Sequence, residues 1–267
     1  MSDQHDETNN NQNKETETNA YSQPEAELSE KVELSVSNPI QAASEIFYKP
    51  KGVFDALAVK DNWSWVPFIL LAVVMSLPAY LYFGVVDFEW WRDITINTSM
   101  PDASPAEKKN VMSMYQQGST QLTSMIFSVI APILINLILA LYYTLVTRND
   151  NKSVQGYTDW YGAMWWMSMP VLINSLVALL IIAMHDKGTE LSTAVLAPLS
   201  VAYLMGIEMS SNWFNFFNGV RLDVIWTIYL SMTCVRSWTN FSANKSLIVA
   251  IIPTAFIWLL FAIFAAT

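Results

Sequence analysis

The sequence predicts an all-α protein, a polytopic bundle of membrane-spanning helices. Long apolar segments without charged residues recur along the chain, and tryptophans flank the first of them. Of the 267 residues, 53% are hydrophobic and only 14% are charged, whereas charged residues make up about a quarter of an ordinary soluble domain. We expect five transmembrane helices, preceded by a disordered acidic tail and a short amphipathic helix.

The tail covers residues 1–38 and carries nine acidic residues against two lysines, a net charge of −7 out of −9 for the chain. It has few large apolar residues and cannot bury enough surface to offset the entropy of ordering it, so we expect it to be disordered. No basic stripe that could meet phosphates occurs in the chain, which argues against nucleic-acid binding. The N-terminus lacks the apolar core of a signal peptide, so we expect the first span to act as an uncleaved anchor.

The membrane domain is predicted to span residues 39–267 and to begin with the amphipathic element. Asn38 or Ser37 caps its first helix, Pro39 occupies the first turn, and Pro50 divides the element in two. Three lysines flank its apolar face: Lys49, Lys51 and Lys60. This pattern fits a helix in the headgroup layer, and equally a helix packed on the cytoplasmic ends of the bundle.

The spans themselves follow from length and charge. No charged residue occurs between Asp61 and Asp87, a stretch long enough to cross a hydrocarbon core of about 30 Å. Pro132 and Pro170 should interrupt the second and third spans. In the connection after the first span, Ser104 and Glu107 predict the start of a short helix. The predicted spans cover residues 65–86, 122–146, 160–184, 222–240 and 246–266.

Residues 191–207 decide the topology. This uncharged run is at the lower length limit for a span and contains Pro198 and Gly206. With five spans and a cytoplasmic N-terminus, seven basic residues near the spans lie inside and five, including Arg221, lie outside. With six spans the counts are six and six. The basic-residue rule therefore favours five spans, with Leu191 to Phe217 as a re-entrant or surface-lying outer segment.

Two amides, Asn136 and Asn174, fall at mid-span depth. They could belong to a substrate path, or they could form hydrogen bonds between helices. We favour hydrogen bonding, because we expect no Asp, Glu, Lys or His at mid-membrane depth to accompany them.

Catalytic and metal sites are not indicated. The single cysteine, Cys234, lies in an apolar run and excludes a disulfide within one chain. Of the two histidines, His5 lies in the tail and His185 at the end of a span, whereas a metal hydrolase needs two or three His or Glu ligands at fixed helical spacing. We expect no catalytic, metal-binding or cofactor-binding residues, and no enzyme activity.

Four short motifs occur in a defined order. The first runs from Tyr48 to Leu57 and contains Pro50 and Phe54. The second pairs Trp63 with Pro67, the third is Pro170, and the fourth is Leu222-Asp223-Val224-Ile225-Trp226. Together, over about residues 39–266, they resemble the Yip-domain family of polytopic membrane proteins, in its bacterial branch. One departure is the run Ser231-Met232-Thr233, where many relatives have a glycine.

The resemblance implies a five-helix domain with a cytoplasmic N-terminus, here in the inner membrane of a bacterial cell. Eukaryotic members act in vesicle traffic and bind Rab-type GTPases, but no feature of this chain carries that partner over. We expect a non-enzymatic scaffold or adaptor that contacts the lipid bilayer and interacts with other membrane proteins or with itself. The alternative is a transporter or permease component.

Overall fold

The computed structural model describes residues 35–266, so most of the predicted tail lies outside the described residues. The described part contains α-helices, one short 3₁₀ helix and two isolated β-bridges, but no strands. The α-helices are α1 Pro39–Glu45, α2 Pro50–Leu57, α3 Trp65–Val85, α4 Phe88–Ser99, α5 Pro105–Met114, α6 Gln117–Thr147, α7 Tyr157–Met167, α8 Val171–Ala183, α9 Val201–Leu204, α10 Phe214–Gly219, α11 Leu222–Trp238 and α12 Ala243–Ala266.

Helices α1 and α2 form the predicted amphipathic element. The Asn38 side chain accepts a hydrogen bond from the Gln41 N–H at 2.9 Å, and proline opens both helices. Phe54 in α2 is fully buried, and its carbonyl accepts a hydrogen bond from Trp238 Nε1 on α11 at 2.8 Å. The structure has the element packed on the end of the bundle, which is one of the two compatible arrangements that the sequence allowed.

Within residues 35–266, four helical stretches are long and apolar enough to cross a membrane: Trp65–Val85, Gln117–Thr147, Tyr157–Ala183 (α7 and α8 together) and Ala243–Ala266. They match the first, second, third and last predicted spans. The other predicted span corresponds to α11, which has 17 residues and is not among these four.

The internal prolines behave differently from one another. Pro170 separates α7 from α8, as predicted. Pro132 lies inside α6, which continues through it, so the predicted interruption there is wrong. A proline removes one helix hydrogen bond, but a long apolar helix held by its neighbours tolerates that loss.

Helices α3 and α6 form an antiparallel pair. Gln117 Nε2 donates to the Phe83 carbonyl and Gln121 Nε2 to the Tyr80 carbonyl, each at 2.8 Å. Helix α3 runs in the same direction as α7 and α8. The Phe68 ring in the first turn of α3 contacts the Trp165 ring of α7 at 4.8 Å between centroids, and Tyr82 near the end of α3 clusters with Ile182 near the end of α8. These contacts fix which residues lie at the same level of the bundle.

The connection after α3 contains two helices. Helix α5 begins with a capping box in which the Ser104 hydroxyl accepts from the Glu107 N–H and the Glu107 carboxylate accepts from the Ser104 N–H. This confirms the predicted helix start. Helix α4 was not predicted; Asp87 caps it by accepting from the N–H groups of Glu89 and Trp90, both at 3.0 Å.

Candidate functional site

Residues 191–221, which we call the re-entrant segment, fold back alongside α8. Tyr82 donates its hydroxyl hydrogen to the Leu191 carbonyl at 2.6 Å. Further in, Asn174 Nδ2 donates to the Leu196 carbonyl at 3.1 Å, and Asn174 Oδ1 accepts from the Leu199 N–H at 3.3 Å. Asn174 is ten residues from Met184 at the end of α8, a distance of about 15 Å along the helix. The segment therefore reaches about the middle of the span.

The segment contains only short elements: a 3₁₀ helix at Thr193–Leu196 and helices α9 and α10. None is long enough to cross a membrane. The Leu222 N–H donates to the Leu199 carbonyl at 3.0 Å, so α11 begins at the level of Asn174 and not at the end of the bundle. Its other end lies against α7, where the rings of Trp160 and Trp238 are 4.8 Å apart. The re-entrant segment and α11 thus each cover part of the bundle's length.

An ion pair lies where the segment meets α11. Arg221 donates to both carboxylate oxygens of Asp223, with Nε to Oδ1 at 3.0 Å and Nη2 to Oδ2. The Asp223 side chain is 2% exposed and that of Arg221 is 24% exposed. Asp223 also occupies the first turn of α11, where the helix dipole favours a negative charge. A two-pronged pair of this kind is among the strongest that side chains form.

This pair corrects the sequence-based expectation in two respects. Arg221 was placed in the outer loop and no acid or base was expected at mid-membrane depth, but Arg221 and Asp223 lie level with Asn174. The reason is that the chain between them and α8 turns inward instead of remaining at the surface. Because this part of the backbone enters the bundle, the Arg221 side chain needs a partner, and the Asp223 carboxylate two residues away supplies it.

Other polar groups of the segment are also bonded. Ser200 is fully buried, donates to Asn218 Oδ1 at 3.3 Å and accepts from the Tyr203 N–H at 3.2 Å. Trp258 on α12 donates its indole N–H to the Gly219 carbonyl at 2.9 Å. Sequence reasoning did not single out Ser200, Asn218 or Trp258, and it treated Arg221 only as a charge of the outer side. The signal that could have drawn attention to the site is the opposite charge of Arg221 and Asp223, two residues apart beside an apolar stretch.

The remaining predicted residues lie elsewhere. Asn136 on α6 is 4% exposed, and its Nδ2 has no hydrogen-bond partner within residues 35–266. Pro67 is buried in the first turn of α3 and Pro170 is buried at the break before α8. Trp226 is 43% exposed on the surface of α11.

The residues of the first motif gather at the other end of α11. Pro50 and Phe54 are buried, and Leu57 is half-buried at the end of α2. Ser237 donates to the Asp55 carboxylate between α11 and α2. Trp63 is half-buried, and its carbonyl accepts from the Val66 N–H at 3.2 Å at the start of α3. The family-motif residues therefore do not form one site; Asp223 alone belongs to the ion pair.

Two cavities lie away from the ion pair. One, of about 520 Å³, lies at the end of the bundle that contains the start of α3 and α7. The other, of about 420 Å³, lies between α4 and the re-entrant segment. Neither is lined by Arg221 or Asp223. Within residues 35–266, no group of three or more His, Cys, Asp or Glu side chains could hold a metal ion.

Several apolar spans in one all-helical unit, with irregular backbone enclosed between them, define a multi-pass α-helical membrane protein. A family model described as the Yip1 domain matches residues 44–266. The chain belongs to the Yip1 domain family. Comparison with curated proteins gave no match, and neither did comparison with solved structures.

Proposed function

We propose that this Yip1-family protein is a non-enzymatic scaffold or adaptor of the membrane, which binds other membrane proteins, lipids or a second copy of itself. The observation that carries the proposal is the pairing of Arg221 with Asp223 and of Asn174 with the backbone of the re-entrant segment. Both oxygens of Asp223 accept from Arg221, and the Asn174 amide bonds to backbone groups through both its oxygen and its nitrogen.

Paired groups of this kind support a fixed structure. A transport route needs polar side chains that exchange partners with a substrate or with water. Here the ion pair holds the start of α11, and the amide holds the re-entrant segment against α8. The ion pair and the Asn174 amide already have partners inside the chain. Their simplest role is therefore to shield the polar backbone of the re-entrant segment from lipid.

The surfaces available for partners are the apolar helix faces. Large side chains remain more than half exposed along α6 and α12, including Phe127, Ile138, Phe256 and Leu259. In the bilayer such side chains meet lipid tails or the helices of another protein. Membrane helices associate by close packing of such faces, so they can serve as contact surfaces for a scaffold.

We further propose the arrangement of the chain in the membrane. Residues 1–38 form a cytoplasmic tail and residues 39–267 the membrane domain, in the inner membrane of a bacterial cell. The support is the bias of basic residues under a five-span topology, which is seven inside against four outside once Arg221 is counted within the bundle. In this topology α11 and the re-entrant segment together make the fourth crossing.

Cysteine labelling tests this topology. On a Cys234→Ser background, a cysteine at Ser242 should react with an impermeant reagent only after permeabilisation, whereas one at Ser104 should react in intact cells. Labelling of both positions from outside would contradict the five-span arrangement.

One observation favours the alternative, a transporter or permease component. Discontinuous helices with polar groups at mid-membrane occur at the substrate sites of transporters. Helix α11 begins at mid-span beside Arg221 and Asp223, which is the same kind of arrangement. For this alternative, the ion pair would have to open during function.

Photo-cross-linking in native membranes tests the scaffold role. A photoreactive residue at Phe256, which is 59% exposed, should give the same protein adduct in replicate preparations. The control is Ala250 on the same helix, which is 3% exposed and should give none. Adducts to lipid alone at Phe256 and at Phe127 would contradict a protein-binding role for these helix faces. If the ion pair is structural, the double variant Arg221→Met with Asp223→Leu should still form the protein adduct. If the ion pair belongs to a transport path, the double variant should lose transport.

A further inference from the structure

The cavity of about 520 Å³ lies at one end of the bundle, where the linker between α2 and α3 meets the start of α7. Its volume falls within the range of small-molecule sites, about 300–1,000 Å³. No residue of the mid-span ion pair lines it. It is therefore a separate site.

The polar and the apolar residues that line the cavity lie at different levels along the helices. The polar residues belong to the linker and to the first turn of α7: Lys60, Asp61, Asn62, Ser64, Thr158 and Asp159. The apolar residues lie further inside the helices and include Phe68, Trp165 and Ile133. Trp65, 62% exposed, lies between the two groups, as tryptophans do at a membrane boundary. This order matches an amphiphile whose head lies at the boundary and whose chain points into the bilayer.

The charged residues at the polar end of the cavity determine which lipid head group it would bind. Lys60 offers one cation, and Asp61 and Asp159 offer two carboxylates; none of the three forms an ion pair within residues 35–266. Asp159 Oδ2 accepts from the Gly156 N–H at 2.8 Å. A phosphate next to a primary ammonium complements this set. A head group with phosphate alone would meet one cation and two repelling carboxylates, and a choline group has no N–H to donate.

The walls of the cavity are set by a close approach of α3 and α7. A Cβ atom on Gly162 would lie 2.5 Å from Ser64 Oγ, so only glycine allows this contact without a shift. Asn62 turns the chain into α3 with a φ of 63°, a left-handed conformation that asparagine adopts more readily than most residues. These two positions hold the linker beside the mouth of the cavity.

We propose that this cavity binds a phospholipid with a primary-amine head group, phosphatidylethanolamine, with the phosphate on Lys60 and the ammonium on Asp61 and Asp159. The acyl chain then follows Phe68 and Trp165 into the bilayer. The inference rests on the lipid-binding part of the proposed function, but it requires no protein partner.

Native mass spectrometry of the purified full-length chain in detergent tests the proposal, with phosphatidylethanolamine, phosphatidylglycerol and phosphatidylcholine added in equal amounts. We expect the wild type to retain phosphatidylethanolamine preferentially. The double variant Lys60→Gln with Asp61→Asn should lower that retention about threefold to tenfold, since exposed charge contacts each contribute a few tenths to one kcal/mol. The matched control is Lys49→Gln with Asp93→Asn, which removes the same charges outside the cavity and should retain the lipid.

Thermal stability in the same detergent provides the second measurement. Lys60 and Asp61 are exposed, so without lipid the double variant should unfold at the wild-type temperature. Phosphatidylethanolamine should stabilise the wild type and the control but not the double variant. Equal retention of the three lipids, unchanged retention by the double variant, or an equal loss in the control would each overturn the proposal. Cross-linking from Phe256 in the double variant distinguishes failure of the lipid proposal from failure of the scaffold proposal. Loss of the cavity lipid should leave the protein adduct at Phe256 unchanged.

Discussion

The two ends of α11 are held in different ways, one mainly by aromatic packing and the other by an ion pair. At Trp238 aromatic packing dominates: Trp160 packs edge-on against Trp238 at 4.8 Å and stacks on Tyr143 at 5.2 Å. The Trp238 indole N–H also donates to the Phe54 carbonyl at 2.8 Å. At Leu222 the contacts are polar: the Arg221–Asp223 pair and a backbone bond to the re-entrant segment. One helix is therefore anchored mainly by aromatic packing at one end and mainly by an ion pair at the other.

The difference determines how each end responds to mutation. Losses at the packed end scale with the atoms removed. At the polar end the cost depends on what is left behind, since a buried charge without its partner is far worse than a buried pair or an apolar replacement. The contrast can be tested by removing one partner, then both, and comparing the results with truncations at the packed end.

The largest effect is expected for Arg221→Met. It leaves the Asp223 carboxylate buried without its cation, which should lower the free energy of unfolding by about 3–5 kcal/mol. Reversible unfolding in mild detergent measures this. The double variant Arg221→Met with Asp223→Leu should recover most of the loss. If the double variant is as unstable as the single one, the pair does not behave as a buried ion pair.

Asn174→Leu comes next. It removes the partner of the Leu196 carbonyl and of the Leu199 N–H, two backbone groups enclosed by the bundle. Leaving such groups unpaired should cost about 1–3 kcal/mol. Hydrogen exchange should report faster exchange in residues 191–199 and little change in α3. Asn136→Leu serves as the control, because Nδ2 of Asn136 has no partner within residues 35–266. Equal exchange in the two variants would argue against the role of Asn174.

Trp238→Phe is expected to have a smaller effect at the packed end. The ring contact with Trp160 is largely kept, but the hydrogen bond to the Phe54 carbonyl is lost. The expected loss is about 1 kcal/mol, measured by the same unfolding experiment. Trp226→Phe, on an exposed face of α11, should change stability little. A loss at Trp226 that matches the loss at Trp238 would mean that the hydrogen bond contributes nothing specific.

The long apolar helices and several helix starts could be predicted from the sequence. Apolar runs without charge identified Trp65–Val85 and Ala243–Ala266, and local caps identified the helix starts after Asn38 and Ser104. These signals are local, since they depend on neighbours a few residues apart. The Pro50–Leu57 element was likewise readable from helical spacing.

The sequence left open whether the re-entrant segment enters the bundle or lies at its surface. Its depth depends on hydrogen bonds between Asn174 and residues more than twenty positions later, which no periodicity reveals. The sequence indicated that Asn174 needs a partner but not which one. It also assigned Arg221 to the outside, because a charge near an apolar run is usually at the boundary. The fate of Pro132 and of Pro170 depended in the same way on their neighbours in the fold.

The smallest expected effect lies outside α11, at the capping box of α5, and it shows how a fully exposed charged contact behaves. Hydrogen bonds from the Ser104 hydroxyl and N–H hold the pKa of Glu107 below its ordinary value. Because the folded pKa is depressed, the stabilisation of the helix start is present above the unfolded pKa and is lost as pH falls through the folded pKa. Hydrogen exchange of the first turn of α5 should therefore show less protection at acidic pH than at neutral pH, after correction for the intrinsic exchange rate. In Glu107→Gln the pH dependence should be flattened, whereas in Glu89→Gln on α4 it should be unchanged. A pH profile for Glu107→Gln that matches the wild type would show that the carboxylate does not stabilise this helix start.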